Sequence, residues 1–308
     1  MIQSPLHVFV VQSPLALVMM ALVMKHDGIR QTDVRAILVR NQRGVRKLLG
    51  HMGIKSSHAD LDLLKSGYYP PQAGLRKIAN FDKLMQRMTG THPFHLYTFD
   101  FVSTLNQLAI THAGCQSVSL MEEGTDHMRS LAFQETNHFL LAESQPMYSN
   151  AHSDRFFSTG TVSDKVHKLY RFSNFGWPEA QAIDVFDLDV LTAFGPKKQI
   201  DTLLLVPKNT DLSSGARFKE LDALKPTPPD RMAVLTVKYH PGITQKEKRI
   251  WATHLRERFF QVETITDDTF SVEAALASQK VTRLAGWGSS SLIYARMFGV
   301  DCTDLRTP

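Results

Sequence analysis

Glu122 and Glu123 stand side by side, followed by Gly124, at the end of the apolar run SVSLM. The carboxyl end of a buried strand is where open α/β sheets bind their ligands. A carboxylate there can act as a general base if burial or a like-charged neighbour raises its pKa. Adjacent residues on an extended chain point opposite ways, so one of the pair faces a ligand and the other is structural. His240-Pro241-Gly242 follows a second apolar run, AVLTVKY. A histidine so placed can donate to a phosphate oxygen or, when protonated, stabilise a departing anion. Gly286-Trp287-Gly288-Ser289-Ser290-Ser291 comes just before the helical pattern LIYARMF. Small residues and hydroxyls at a helix start present N–H groups to an anion, although serine also simply caps helices. Glu273 opens another helical pattern. It is either an acid complementing the helix dipole or a bidentate acceptor for two ribose hydroxyls. His92-Pro93 precedes a strand instead of following one, and reads as structural.

These groups need strands to hold them. Short apolar runs predict strands at His7–Gln12, Val34–Leu38, Phe94–Thr98, Val118–Met121, Thr202–Val206 and Ala233–Tyr239. Helical patterns lie between them, at Asp60–Lys65, Gly74–Met88 and Phe101–Ala113. This alternation predicts an α/β fold with parallel sheets and crossover helices. Runs such as LLLV are apolar throughout, as strands covered on both faces must be. Gly195-Pro196 punctuates the chain ahead of a fresh strand, which places a domain boundary there and gives domains 1–195 and 196–308. Residues 146–180 are aromatic and polar, and read as a loop or an excursion beside the site.

The run VFVVQSPLALVMMALVM at residues 8–24 could suggest a membrane span. Gln12, Ser13 and Pro14 interrupt it, and a span needs about 20 apolar residues. No Lys or Arg precedes it, unlike the positive start of a signal peptide. The preferred reading is a buried strand, a turn at Ser13-Pro14 and a buried helix over 14–25. A membrane-embedded N-terminus is the alternative.

The 308 residues carry a formal net charge of +5, which suits an anionic partner without selecting one. No RNA-binding signature, zinc finger or basic-region helix is present, so nucleic acid is not an expected partner. Cys115 and Cys302 could form one disulfide at most, and read as two thiols in a reducing cytoplasm. Arg40, Arg43, Arg46 and Lys47 recur at helical spacing, and Lys246, Lys248 and Arg249 cluster. Both read as solvated basic faces, with an acidic glycan or lipid headgroup as the alternative.

A carboxylate pair with glycine, a His-Pro, a Glu and a serine cluster, in that order, resemble the bacterial sialyltransferases of the lipooligosaccharide and capsular polysialyltransferase groups. The opening VVQSPLAL is similar to the first strand and turn of those enzymes. The resemblance covers residues 10–17, 118–124, 233–242 and 270–293. It implies a GT-B architecture, two Rossmann-like domains facing across a cleft. The first would hold a glycan acceptor and the base, the second the donor CMP-sialic acid. Carried over, Glu122 would be the base, with Glu123 the alternative. His240, with Pro241 and Gly242, would contact the CMP phosphate, and His240 could act as general acid. Glu273 would bind the ribose, and two of Ser289, Ser290 and Ser291 the phosphate. The chain has Glu-Glu where many relatives have an Asp, which leaves the base assignment open.

The implied reaction is a single inverting displacement, with no cofactor and no metal, because CMP carries one phosphate. Asp60-Leu61-Asp62 and Asp187-Leu188-Asp189 match the spacing of metal-binding transferases. Residues two apart on a helix do not face each other, which argues against the first. The second reads as a solvated acidic stretch. The expected location is cytoplasmic, with peripheral contact at the inner membrane left open. A transferase for another CMP-sugar such as Kdo, and a non-catalytic nucleotide- or glycan-binding protein on the same fold, are the alternatives.

Overall fold

A computed structural model describes residues 5–39, 42–59, 71–100, 103–124, 165–173, 182–208, 216–224, 234–259 and 261–306. Contacts divide the chain into two compact units, Met1–Asp187 and Leu188–Pro308.

In the first unit the elements run β1 (Leu6–Val11), α1 (Pro14–His26), β2 (Val34–Leu38), α2 (Arg43–His51), β3 (Lys55–His58), α3 (Pro71–Thr89), β4 (Phe94–Thr98), α4 (Thr104–Ile110), β5 (Cys115–Met121), β6 (Val166–Arg171) and β7 (Ala182–Asp184). The sheet order is β3-β2-β1-β4-β5-β6-β7, and every pairing is parallel. The chain works outward from β1 in one direction, then returns to start the other side at β4. The strand order therefore reverses between β1 and β4, the position where such sheets bind ligands.

One face of this sheet is apolar. Val8, Val10, Leu96, Val118 and Leu120 join Phe81, Met85 and Leu108 of α3 and α4 in one core. The start of the chain folds as its punctuation predicts. Ser13 caps α1 by accepting from the Ala16 N–H at 3.1 Å, and Pro14 takes the first turn, where its missing N–H removes nothing. Leu15 to Met20 are all buried, as in a helix apolar around its circumference. No described helix is long and apolar enough to cross a membrane. The basic arc at residues 43–47 lies on α2 as expected, with Val45 and Leu49 turned inward. Arg40 and the helical pattern Asp60–Lys65 fall outside the described residues.

The second unit runs α5 (Leu188–Phe194), β8 (Ile200–Val206), α6 (Ala216–Glu220), β9 (Val234–Tyr239), α7 (Gln245–Arg258), β10 (Gln261–Thr264), α8 (Val272–Ala277), β11 (Val281–Gly286), α9 (Ser291–Met297) and β12 (Asp301–Asp304). Its sheet order is β10-β9-β8-β11-β12, again all parallel, and here the order reverses between β8 and β11. The core gathers Trp251, Phe218, Leu235, Val237 and Trp287. Trp251 meets Phe218 edge-on at 4.9 Å and Trp287 at 5.4 Å between ring centroids. The unit begins one helix before Gly195-Pro196, because α5 packs against α8.

Candidate functional site

In the first unit the carboxyl edge carries the acidic pair, and the two members do point apart. The Glu122 side chain is fully buried. Its Oε2 accepts the N–H groups of Phe172 and Ser173 at 3.0 and 3.1 Å, and its Oε1 accepts the Ser173 hydroxyl. Glu122 thus ties the end of β5 to the end of β6. Glu123 turns the other way. Its Oε2 accepts from the Gln12 amide at 2.9 Å. Gln12 follows β1, so Glu123 reaches over β4 to the point where the strand order reverses. The sequence reading favoured Glu122 as the base, with Glu123 the alternative; both side chains are buried, Glu122 against the end of β6 and Glu123 against Gln12. Asp100 follows β4 on the same edge, where its Oδ1 accepts the Ser103 N–H at 2.7 Å and shapes the turn into α4.

In the second unit three of the expected groups also lie at the carboxyl edge. His240 follows β9 and is exposed. Its Nδ1 accepts the Gly242 N–H at 3.0 Å, which leaves Nε2 as the N–H donor of the ring. A Cβ on Gly242 would meet Lys208 Cδ at 2.7 Å, so a side chain there would have to displace the lysine. Lys208 therefore lies across the His240 loop. Glu273 sits in the first turn of α8 and is held from two sides. Ser291 donates its hydroxyl to Oε1 at 2.7 Å, and Ser271 donates to Oε2 at 3.2 Å. Of the three serines, Ser291 is the one joined to Glu273. Ser289 accepts the Ser291 N–H at 3.3 Å, and Ser290 begins the last helix.

The glycine-rich stretch is anchored by its tryptophan. Trp287 is buried in the core and donates its indole N–H to Glu220. Gly288 follows with φ +62°, a left-handed conformation suited to glycine. A Cβ there would stand 2.2 Å from Arg306 Cζ. The guanidinium of Arg306 thus lies directly over Gly288, paired to Asp304 at 2.7 Å. Asp304 also accepts the Gly288 N–H at 3.2 Å. The hydrogen bond from Arg306 holds the Asp304 carboxyl down to about 2.

Sequence reasoning missed Gln12, Lys208, Lys238, Asp304 and Arg306. Lys208 had a signal, because Pro207-Lys208 directly follows the apolar run LLLV. Lys238 lies on β9 with its ammonium 5.1 Å from the Phe270 ring centroid. Burial pushes that ammonium down, while the charges of Glu273, Asp267 and Asp268 oppose the shift. Asp187 pairs with Lys25 at 2.6 Å, and Asp189 lies in the first turn of α5. Asp60 and Asp62 fall outside the described residues. No cluster of three metal-ligating side chains occurs among the described residues. Cys115 and Cys302 are both free thiols.

Two units of parallel strands with these orders define the GT-B type of fold, a pair of Rossmann-like domains. No known family model and no curated protein sequence matches the chain. Solved structures do. A UDP-GlcNAc 2-epimerase from Neisseria meningitidis bound to UDP-GlcNAc superposes with a TM-score of 0.54 at 13% identity, over 99% of this chain and 83% of that one. S. aureus MnaA in complex with UDP gives 0.55 at 12%, over 99% and 80%. The spinosyn rhamnosyltransferase SpnG with thymidine diphosphate gives 0.50 at 11%, over 97% and 80%. At these identities the likeness is one of fold.

Proposed function

We propose that this chain is a nucleotide-sugar enzyme, and specifically an inverting glycosyltransferase that moves sialic acid from CMP-sialic acid to a glycan hydroxyl. The observation that carries the reading is the Glu273–Ser291 pair. A carboxylate and a hydroxyl joined at 2.7 Å stand at the carboxyl end of the second sheet, beside the reversal of strand order. That constellation suits a ribose and its adjoining phosphate, and it completes the sequence order that resembles the sialyltransferases. The fold of nucleotide-sugar epimerases and a rhamnosyltransferase supports the broader class.

In this reading Glu273 accepts the ribose hydroxyls. Ser289, Ser290 and the Nε2–H of His240 stabilise the phosphate as negative charge builds on it. Lys208 adds positive potential at the same edge, where Arg306 is paired to Asp304. Glu123, not Glu122, takes the proton from the acceptor hydroxyl, because Glu122 already accepts two backbone N–H groups and a hydroxyl. Gln12 holds the Glu123 carboxylate in place. The acceptor oxygen attacks the anomeric carbon as the bond to the CMP phosphate breaks, which inverts the configuration in one step. The reaction uses no metal.

The fold likeness to UDP-GlcNAc 2-epimerases favours a second reading, in which the same edge holds UDP and the enzyme epimerises the attached sugar. One experiment separates the two. The chain is incubated with CMP-sialic acid, CMP-Kdo or UDP-GlcNAc, with and without galactosides and sialosides. Acceptor-dependent CMP release from CMP-sialic acid, with a new product mass, is expected. Release from CMP-Kdo alone would reassign the donor. Conversion of UDP-GlcNAc to its 2-epimer, with both CMP-sugars untouched, would replace the transferase reading.

A further inference from the structure

The first sheet has a second concave feature, at the opposite edge from Gln12 and Glu123. Its face toward α1 is apolar at the carboxyl end but polar at the amino end. His7 on β1 pairs in register with His95 on β4, and His95 with Ser117 on β5. In the next row Phe9 pairs with Tyr97, Tyr97 with Ser119, and Ser119 with Lys168 on β6. A sheet face that only had to be covered by a helix would carry Val, Ile and Leu in these rows. Instead a cavity of about 720 Å³ opens there. That volume lies within the range of small-molecule sites, roughly 300–1,000 Å³.

The lining decides what could enter. Its formal charges are already matched. Lys168 donates to Asp27 at 2.9 Å, and the Arg30 guanidinium lies 2.8 Å from Asp33. Asp27 also accepts the Tyr170 hydroxyl and meets His26 at 2.7 Å. Burial pushes the His7 imidazole down, toward its neutral form. An anion entering this space would meet two carboxylates, and a cation would meet two paired basic groups. Either would have to compete with an existing ion pair. A neutral ligand competes with none.

The rest of the lining is the half-buried rings of His7 and His95, with the buried Tyr97 behind them, next to polar groups. The Tyr97 ring lies 4.6 Å from His95 and 5.8 Å from His7 between centroids. Ser117, Gln116 and the two carboxylates supply hydrogen-bonding groups around them. Flat C–H faces beside a rim of hydroxyls, each both donor and acceptor, are the surface of a sugar ring. We propose that this cavity is a second binding site, for a neutral saccharide, at the amino edge of the first sheet. The site shares no residue with Glu123, His240 or Glu273, so it stands independently of the transferase reading.

Saturation-transfer NMR on the full chain tests it. The probes are lactose and N-acetylglucosamine, with inorganic phosphate and CMP as charged comparisons. At least one neutral sugar is expected to receive saturation, and inorganic phosphate is not expected to displace it. Ser117→Trp fills the cavity and should weaken that sugar by about tenfold or more. Gln116 is exposed at the same cavity. Gln116→Trp therefore blocks the opening without touching the core, and should have the same effect even if Ser117→Trp fails to fold. Three outcomes would overturn the proposal. They are silence from both sugars, a sugar signal unchanged by Gln116→Trp, or displacement of the sugar by phosphate.

Discussion

Two neighbouring carboxylates, Glu122 and Glu123, meet different surroundings because a strand sends successive side chains to opposite sides. Each therefore predicts a different failure. Glu122→Gln places an amide N–H₂ where two backbone N–H groups and a hydroxyl already donate. An unsatisfied buried donor costs about 1–3 kcal/mol. Urea unfolding of this variant should show a loss in that range. Glu123→Gln leaves the Gln12 contact possible but removes the proposed base. CMP release should fall at least about 10²-fold with little change in unfolding midpoint. If Glu122→Gln alone abolished turnover in a fully stable protein, the assignment of the pair would be reversed. That the pair splits was legible from strand geometry. Which member turned inward was not, because β6 and its Phe172-Ser173 end lie some fifty residues downstream, in a stretch that reads as a loop.

Elements with strong local signals were readable, and those held by their neighbours were not. The strands Val34–Leu38 and Phe94–Thr98 have the bounds that their apolar runs predict. The Ser13-Pro14 signal marks the start of α1 because cap and first turn are local chemistry. β3, β7, β10 and β12 escaped notice. Their sequences KSSH, AID, QVET and DCTD are short and lack a clear apolar run, and all four lie at sheet edges. β11 is central, but Thr282 and Arg283 interrupt its apolar pattern. Partners such as Arg306 over Gly288 depend on β11 and β12 lying side by side, which no local pattern announces. This contact makes two predictions. Gly288→Ala forces a side chain into a left-handed backbone and against Arg306, and should destabilise the protein by more than about 1 kcal/mol while weakening CMP binding. Calorimetric titration with CMP and thermal melts check both parts. The Asp304 carboxyl is ordinarily near 3.8 and is held down to about 2. Its stabilising contribution is complete above the higher value and is lost as pH falls toward the lower one. Asp304→Asn should flatten that part of the acid-unfolding curve, and an unchanged curve would remove the pair from the balance.

Across the whole molecule, the strand orders give the beginning of the chain an unusual weight. β1 sits between β2 and β4 in the interior of the first sheet, and α1 is buried over most of Leu15–Met24. Deleting residues 1–25 removes both. The truncated chain should lose its cooperative thermal transition and appear in the insoluble fraction on expression. A truncated chain with a native circular-dichroism spectrum and intact CMP binding would show that the segment is dispensable. The same view explains how far the fold was readable. Alternating strands and helices define two parallel sheets, and the turn at Gly195-Pro196 marks the neighbourhood of their division. The assignment of α5 to the second unit depends on its packing against α8, which only the folded chain displays.

Trp287 sits with its ring in the second core while the next residues form the glycine and serine turn. Its ring lies 5.4 Å from Trp251, close enough for the two indoles to exchange excitation. The pair is two of the chain's three tryptophans. A molecule settling on the serine turn, two residues from Trp287, should change the surroundings of that indole. Occupancy could then be followed by the protein's own light, without a label.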